Sequence, residues 1–258
     1  VKKWLFYVCI LALNTGMAQR LPHPSAVFEW KMMPATLEGV GEERKLMDWP
    51  TETLDNFRIV HYTLQDSETM DLNTSSEHLV LVGEGLLSLD MSGEKAMLGP
   101  RSVGWIPADR QLKIAVGNKE KASFFIIEWE AEKVADELAP KDTYPLLFDY
   151  DEMTFRQNAR GGRRDVMQAP TETLRELEMH ITTLKEGEKS HDPHVHADEE
   201  IILVLQGEVE ELINGTPYRL GAGSVIYLAA FDPHGIRNVG KGSCEYYAIR
   251  WITDKTGK

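Results

Sequence analysis

The chain repeats itself. Residues 50–69, PTETLDNFRIVHYTLQDSET, align without a gap on residues 170–189, PTETLRELEMHITTLKEGEK, with eight identities in twenty positions. Past a length change the match resumes: LVLVGEG (79–85) recurs as LVLQGEV (203–209), the offset having grown from 120 to 124. LGPRSVGWIP (98–107) then recurs as LGAGSVIYLA (220–229), and FFIIEWEAE parallels YYAIRWITD. Self-similarity of this kind means two copies of one fold, so any architecture proposed for one half must also suit the other.

Each copy is a run of short apolar or alternating segments, broken by turns such as INGTP (213–217) and VGKGS (239–243). That rhythm predicts an all-β chain of antiparallel sandwiches or barrels. One short linker helix is expected, over EAEKVADEL (130–138), where the pattern leaves the strand period. The resulting division is a leader (1–18), an N-terminal arm (19–48), a first barrel (49–131), a linker (132–169) and a second barrel (170–253).

The first residues place two lysines before an apolar stretch from Trp4 to Leu13, with Gly16 and Ala18 at small-residue positions ahead of a cut. This is the layout of a secretory signal peptide and predicts a periplasmic or secreted protein. The stretch is too short to span a bilayer, so no membrane anchor is expected after cleavage. Lysine and arginine number 28 against 41 acids, a net charge of −13, which argues against nucleic acid as a partner. Beyond the leader only Cys244 remains, so no internal disulfide can form, and its setting in KGSCEYYAIRW reads as structural. Exposed strand edges and an acidic surface would permit a homodimer.

The segment richest in chemistry is SHDPHVHADEE (190–200), just ahead of the apolar run IILVLQG. In a strand alternate residues face one way, so His194 and His196 point together, and parity carries Glu200, Ile202 and Val204 to the same side. Two imidazoles and a carboxylate facing a barrel interior are costly to bury unless something satisfies them, and a metal ion does so. Downstream, DPHGIRN places His234 on another strand, with Asn238 four residues on.

These residues resemble the two signatures of the cupin superfamily. Gly187, His194, His196, Glu200 and Gly207 match the first, with six residues after the glycine in place of five. Gly223, His234 and Asn238 match the second, without its usual Pro-x-Gly. The resemblance implies two double-stranded β-helix (jelly-roll) barrels, a bicupin, with His194, His196, Glu200 and His234 as a 3-His-1-Glu site for one divalent metal ion. Mn, Fe, Ni and Zn all suit such a set, since ligand type alone does not select among them.

The first copy serves as an internal control. With the 124 offset, Met70, Leu72 and Ser76 stand where the second copy has His194, His196 and Glu200; in the later, separately aligned stretch Leu112, or Gln111 if a gap is moved, stands opposite His234. A degenerate first barrel without metal is expected, with Glu77 and His78 as surface or satisfied polar residues. In the second copy His191 reads as loop decoration, an outer-shell base or an alternative ligand. Arg237 falls on the outward parity, Asn238 at a backbone turn, and Tyr227, Tyr246, Tyr247 and Arg250 are candidates for the mouth of the site.

The functional expectation is a metal-dependent enzyme acting on a small oxygen-rich molecule such as a hydroxy or keto acid, a sugar acid or a phenolic. Dioxygenase chemistry and isomerase, lyase or hydrolase chemistry are left unresolved, and no acid or base partner is placed by the sequence. The competing reading is a non-catalytic bicupin that binds a small ligand through the same metal, or serves as a scaffold.

Overall fold

The computed structural model describes residues 21–132, apart from 38, 92 and 119, and residues 145–257. The expected signal peptide and most of the expected linker helix lie outside these residues. Glu130 itself ends a strand, Ala122–Glu130. No helix among the described residues is long and apolar enough to cross a membrane.

Among the described residues strands dominate, and they fall into four sheets. The first half contributes a six-stranded sheet in the order Leu146–Phe148, Val103–Ile106, Glu77–Glu84, Ala122–Glu130, Asn56–Leu64, Glu42–Trp49, faced by a four-stranded sheet of Thr69–Thr74, Arg110–Val116, Leu87–Met91 and Glu94–Leu98. The second half has a seven-stranded sheet in the order Ala26–Glu29, Ser224–Leu228, Glu199–Gln206, Cys244–Ile252, Glu176–Leu184, Gly161–Ala169, Arg156–Asn158. Its three-stranded companion is Thr216–Gly221, Glu208–Ile213, His234–Asn238. All named pairings are antiparallel. Hydrogen bonding does not run round either pair of sheets, so each expected barrel is an open two-sheet jelly roll.

The two large sheets pack back to back, which explains why their strands are apolar on both faces. In Cys244–Ile252, for example, Tyr247, Ile249 and Trp251 enter the core between the halves, whereas Cys244, Tyr246 and Ala248 enter the core of the second half. The first half divides in the same way: Phe125, Ile127 and Trp129 face the partner sheet, and Phe124 and Ile126 face inward. Glycine holds the corresponding turn in both copies, Gly85 at φ 78° and Gly207 at φ 79°, a left-handed conformation that other residues adopt only with strain.

The repeat begins earlier than Pro50 and Pro170. AVFEWKMM (26–33) and LLFDYDEM (146–153) each form a strand followed by a 3-10 turn, and Glu42–Trp49 corresponds to Gly161–Ala169. The arm and linker of the sequence-based division therefore carry strands of the sheets themselves. Their pairing is reciprocal. Ala26–Glu29 from the N-terminal arm adds to Ser224–Leu228 in the second half, and Leu146–Phe148 adds to Val103–Ile106 in the first.

A second reciprocal contact locks the halves together. Each PTETL turn wraps a buried carboxylate of the opposite half. Glu199 accepts from Thr51 Oγ1 at 2.9 Å, the Glu52 amide at 3.0 Å, the Thr53 amide at 3.1 Å and the Thr53 hydroxyl. Glu77 accepts from Thr171 Oγ1 at 3.0 Å, the Glu172 amide at 3.2 Å, the Thr173 amide at 2.9 Å and the Thr173 hydroxyl. The best-matched stretch of the repeat is thus an interface between the copies.

Candidate metal centre

The loop 190–198 is tied to His234–Asn238 through an antiparallel bridge, His194 to His234, and through the Ser190 amide, which donates to the Ile236 carbonyl at 3.1 Å. The two amides and carbonyls of that bridge bond at 3.0 and 3.1 Å, which fixes the two imidazoles side by side. His196 follows on the same side, and Glu200 enters from Glu199–Gln206, where Ile202 and Val204 share its inward face. The parity expected for Glu200, Ile202 and Val204 is what is observed.

One ring nitrogen each of His194, His196 and His234 lies within 4.8 Å of the other two. Glu200 Oε2 stands 3.4 Å from His196 Nε2 and 3.5 Å from His234 Nε2. The opposite nitrogens are already committed: His196 Nδ1 donates to the Asp198 carbonyl and His234 Nδ1 to the Asp232 carbonyl, both at 2.8 Å. A carbonyl can only accept, so in the neutral rings both Nε2 atoms present lone pairs to the centre. His234 Nε2 is buried and has no hydrogen-bond partner. An orphaned acceptor beside two more imidazoles and a carboxylate is the donor set a divalent cation satisfies, so the four expected ligands fit a metal.

The charges agree. Burial works to raise the Glu200 carboxyl, but its attraction to the His196 and His234 rings, 3.4 and 3.5 Å away, outweighs it and holds it at about 2. His196 is raised from the ordinary imidazole value, chiefly by its hydrogen bond to Glu200. His194 is lowered, first by burial and then by the neighbouring His191, His234 and His196.

The centre lies in a cavity of about 310 Å³. Tyr246 and Arg250 line it as expected, but Tyr227 and Tyr247 do not: both turn into the core between the halves, where Tyr227 OH donates to Glu199 at 2.5 Å and Tyr247 OH to the Arg101 carbonyl at 2.6 Å. His191 lines the cavity too, its ring 4.0 Å from that of His194 edge to face, but it stands outside the three-histidine cluster. Arg237 points out and pairs with Glu210 at 2.7 Å. Asn238 holds its turn, donating to the Leu184 and Gly242 carbonyls and accepting from the Gly240 amide. Cys244 is fully buried, and burial pushes its thiol up to about 11.

Three cavity groups escaped sequence reasoning. Glu211 is 1% exposed, neither carboxyl oxygen has a partner, and burial together with the Glu200 charge pushes it to about 8. Its signal was an acid in phase with the inward residues Val209 and Ile213 of EVEELI. Glu178 and His180 share the inward face of Glu176–Leu184, because Leu177, Met179 and Ile181 face the other way. An alternation with acid and histidine on the supposedly apolar side was the available clue.

In the first half the pairing of Glu77–Glu84 with its neighbours corrects the register. His78 pairs with Ile106 and Glu128 as Glu200 pairs with Leu228 and Arg250, so the offset is 122 and His78, not Ser76, stands at the Glu200 position. Leu72 pairs with Leu112 as His194 bridges His234, and Thr74 takes the His196 position. Glu77 is satisfied, by the turn of the other half. His78 is neither exposed nor fully satisfied: it is buried and its Nε2 has no partner.

The family model for the cupin domain matches residues 180–250. No curated protein sequence matches the chain. Among solved structures, a Pseudomonas aeruginosa protein described as glyoxylate-induced has a TM-score of 0.72 at 17% identity, covering 91% of this chain and 90% of its own. The Escherichia coli protein Ylba has a TM-score of 0.71 at 14% identity, covering 92% and 95%. An oxalate decarboxylase of Lactobacillus farciminis, in complex with formate, has a TM-score of 0.67 at 12% identity, covering 91% and 89%. Likeness at such identities is likeness of fold. The family model thus places a cupin domain at residues 180–250, and the neighbours, at 12–17% identity, show likeness of fold across most of the described chain.

Proposed function

We propose that the chain is a periplasmic or secreted bicupin enzyme, with its metal in the C-terminal jelly roll only, that acts on a small oxygen-rich molecule. The observation that carries this reading is the convergence of His194, His196 and His234 beside Glu200 within a cavity large enough for a small molecule. A site built only to brace the fold would be closed over its ion. This one has space and further polar side chains around the ligands.

His194, His196, Glu200 and His234 would hold the ion, whose Lewis acidity polarises a chelating oxygen, or whose redox change, for iron or manganese, opens oxygen chemistry. The chain's own residues shape what enters. Arg160, Arg163 and Arg250 line the cavity, in a protein of net charge −13, and so favour an anionic substrate. Arg163 and Arg250 are engaged by Glu178, whereas Arg160 donates to the backbone carbonyls of Lys189 and Ser190. Its charge at the rim is the one best placed to meet a substrate carboxylate. The first jelly roll, with Leu72, His78 and Leu112 in place of ligands, supports the second.

The test is elemental analysis of the purified chain beside a His194→Ala/His196→Ala variant. One equivalent of Mn, Fe, Ni or Zn in the parent and none in the variant supports the reading, and the element found separates oxygen chemistry from Lewis-acid chemistry. Absence of metal from both, after reconstitution with each ion, overturns it and leaves a scaffold or binding protein.

A further inference from the structure

In the cavity that the candidate metal ligands line, His180 and Glu178 form a pair. His180 Nδ1 lies 2.9 Å from Glu178 Oε1, and Glu178 is 5% exposed. Two guanidinium groups hold the same carboxylate, Arg163 at 2.7 Å on Oε1 and Arg250 Nε at 2.8 Å on Oε2. Arg250 also reaches Asp198 at 3.1 Å, and the carbonyl of that residue orients His196. The carboxylate therefore has a fixed position and a fixed charge. Burial works to raise it, and hydrogen bonds from His180 and Arg250 hold it at about 2.

An ionised carboxylate can only accept, so Nδ1 of His180 carries the proton and donates it. In the neutral ring the lone pair is then on Nε2. Nε2 has no partner among the described residues, and the ring lines the cavity with its side chain 15% exposed. A base within reach of the substrate space, oriented by a third group that stabilises its protonated form, is the arrangement that proton abstraction needs. A role confined to packing would not require an ionised acid held by two guanidinium groups behind the ring.

We propose that His180 is the proton-accepting base of this cavity, positioned by Glu178, and that it removes a C–H proton next to the carbonyl of a small carboxylate substrate. The inference rests on the metal-centre reading above, which supplies the site for the substrate's oxygens. In the step, the substrate C–H bond breaks and the Nε2–H bond forms. The electron pair moves onto the substrate's carbonyl oxygen as an enolate, and the Nδ1 proton stays on the bond to Glu178. Return of the proton to carbon regenerates the neutral imidazole, so no other reactant is consumed. Arg160 at the rim is the group that would receive the carboxylate.

The experiment has two parts. In the metal-free full chain, ¹⁵N NMR of the imidazoles should show His180 protonated on Nδ1 and bare on Nε2. Glu178→Gln should abolish that preference. A neutral His180 protonated on Nε2 overturns the proposal without any activity being measured.

The second part follows exchange of the C–H protons of pyruvate and 2-oxobutyrate in D₂O by ¹H NMR, with the metal-loaded chain. The parent should accelerate exchange beyond the same concentration of free metal. His180→Asn, and His180→Gln as a second variant, should lose roughly 10²- to 10⁴-fold of that acceleration at unchanged metal content. Equal exchange by parent and His180→Asn, or no acceleration of either probe by a parent that holds metal, overturns the base. A parent that holds no metal overturns the metal-centre reading instead, so the two failures are distinguishable.

Discussion

Replacing Glu199 with alanine tests how the two halves support the metal site. Glu199 is fully buried and accepts five hydrogen bonds: four from the Thr51–Thr53 turn of the other half and one from Tyr227. A hydrogen bond to a charged group contributes about 1.5–3 kcal/mol. Five do not add, because the cost of desolvating the carboxylate opposes them and the half-buried Glu52 amide can turn to water. Loss of the acceptor still strands the buried Thr51 and Tyr227 hydroxyls, so a net cost of ~4 kcal/mol is expected, near the top of the range for single substitutions. For a chain of this size that is a fall in Tm of roughly 8–16 °C. The assay is thermal unfolding of metal-free protein by circular dichroism, with Glu77→Ala as comparator. Glu77 accepts four equivalent bonds from the other PTETL turn and should cost nearly as much. The two should part company in metal affinity. Glu199 adjoins Glu200 on one strand, whereas Glu77 lies in the half without ligands, so calorimetric titration should show weaker metal binding only in Glu199→Ala. Drops in Tm below 3 °C for both variants would refute the clasp, and equal metal affinities would refute its link to the site.

Three further outcomes follow from the geometry. Glu211 has a folded-state pKa of about 8 against an ordinary 4.5, so the native state holds the extra proton between those values and metal-free stability should fall as pH rises from 5 to 8, by as much as ~4 kcal/mol; Glu211→Gln should flatten that slope in denaturant titrations. Metal at 100 times its Kd should add about 2.7 kcal/mol, so a chelator should lower Tm by roughly 5–10 °C in the parent and leave His234→Ala unmoved in differential scanning calorimetry. Gly161 sits at φ 149°, and a Cβ there would meet the Thr183 carbonyl at 2.0 Å, so Gly161→Ala should cost ~2–4 kcal/mol by chemical denaturation, with the larger loss in cooperativity if the Gly161–Ala169 strand detaches.

What the sequence disclosed was set by how local each signal is. The four candidate ligands were legible because strand parity is a property of short segments and because both histidine-bearing segments resemble cupin signatures. The duplicated strands were legible from Pro50 onward because the PTETL turn is held to one sequence by the carboxylate it wraps. Upstream, AVFEWKMM and LLFDYDEM share a strand and a turn but only Phe28/Phe148 and Met33/Met153 in identity, so the repeat faded where backbone pairing, not side chains, is what the two copies share. The register error in the first copy had a similar origin. LVLVGEG and LVLQGEV match best two residues out of phase, and only the pairing of His78 with Ile106 shows the true offset. Tyr227 and Tyr247 were misassigned because a strand buried on both faces gives no periodic sign of which face is which. Glu178, His180 and Glu211 stand in phase with inward-facing residues, but what they meet there depends on the rest of the cavity lining, which no local pattern encodes.

The comparison of the two interiors explains why, among the described residues, one jelly roll carries side chains that could hold a metal and the other is packed with hydrocarbon. At the positions of His194 and His234 the first half has Leu72 and Leu112, which pack with Val60, Val80, Ile106 and Ile114 into a continuous apolar core. Filling that space with hydrocarbon removes the need for an ion and stabilises the half outright. The second half gives up the same gain: His194, His196, Glu200, His180 and Glu211 occupy a cavity where apolar packing would otherwise be. Buried charges and unpartnered polar atoms are costly there, and Glu211 and His234 Nε2 show that the cost is still present in the metal-free arrangement. A chain can keep such a site if its stability comes from elsewhere. Here the back-to-back sheets, the exchanged edge strands and the two carboxylate clasps all join the polar half to the apolar one. The duplication therefore separates two demands that conflict inside a single small jelly roll, a well-packed core and an open polar centre.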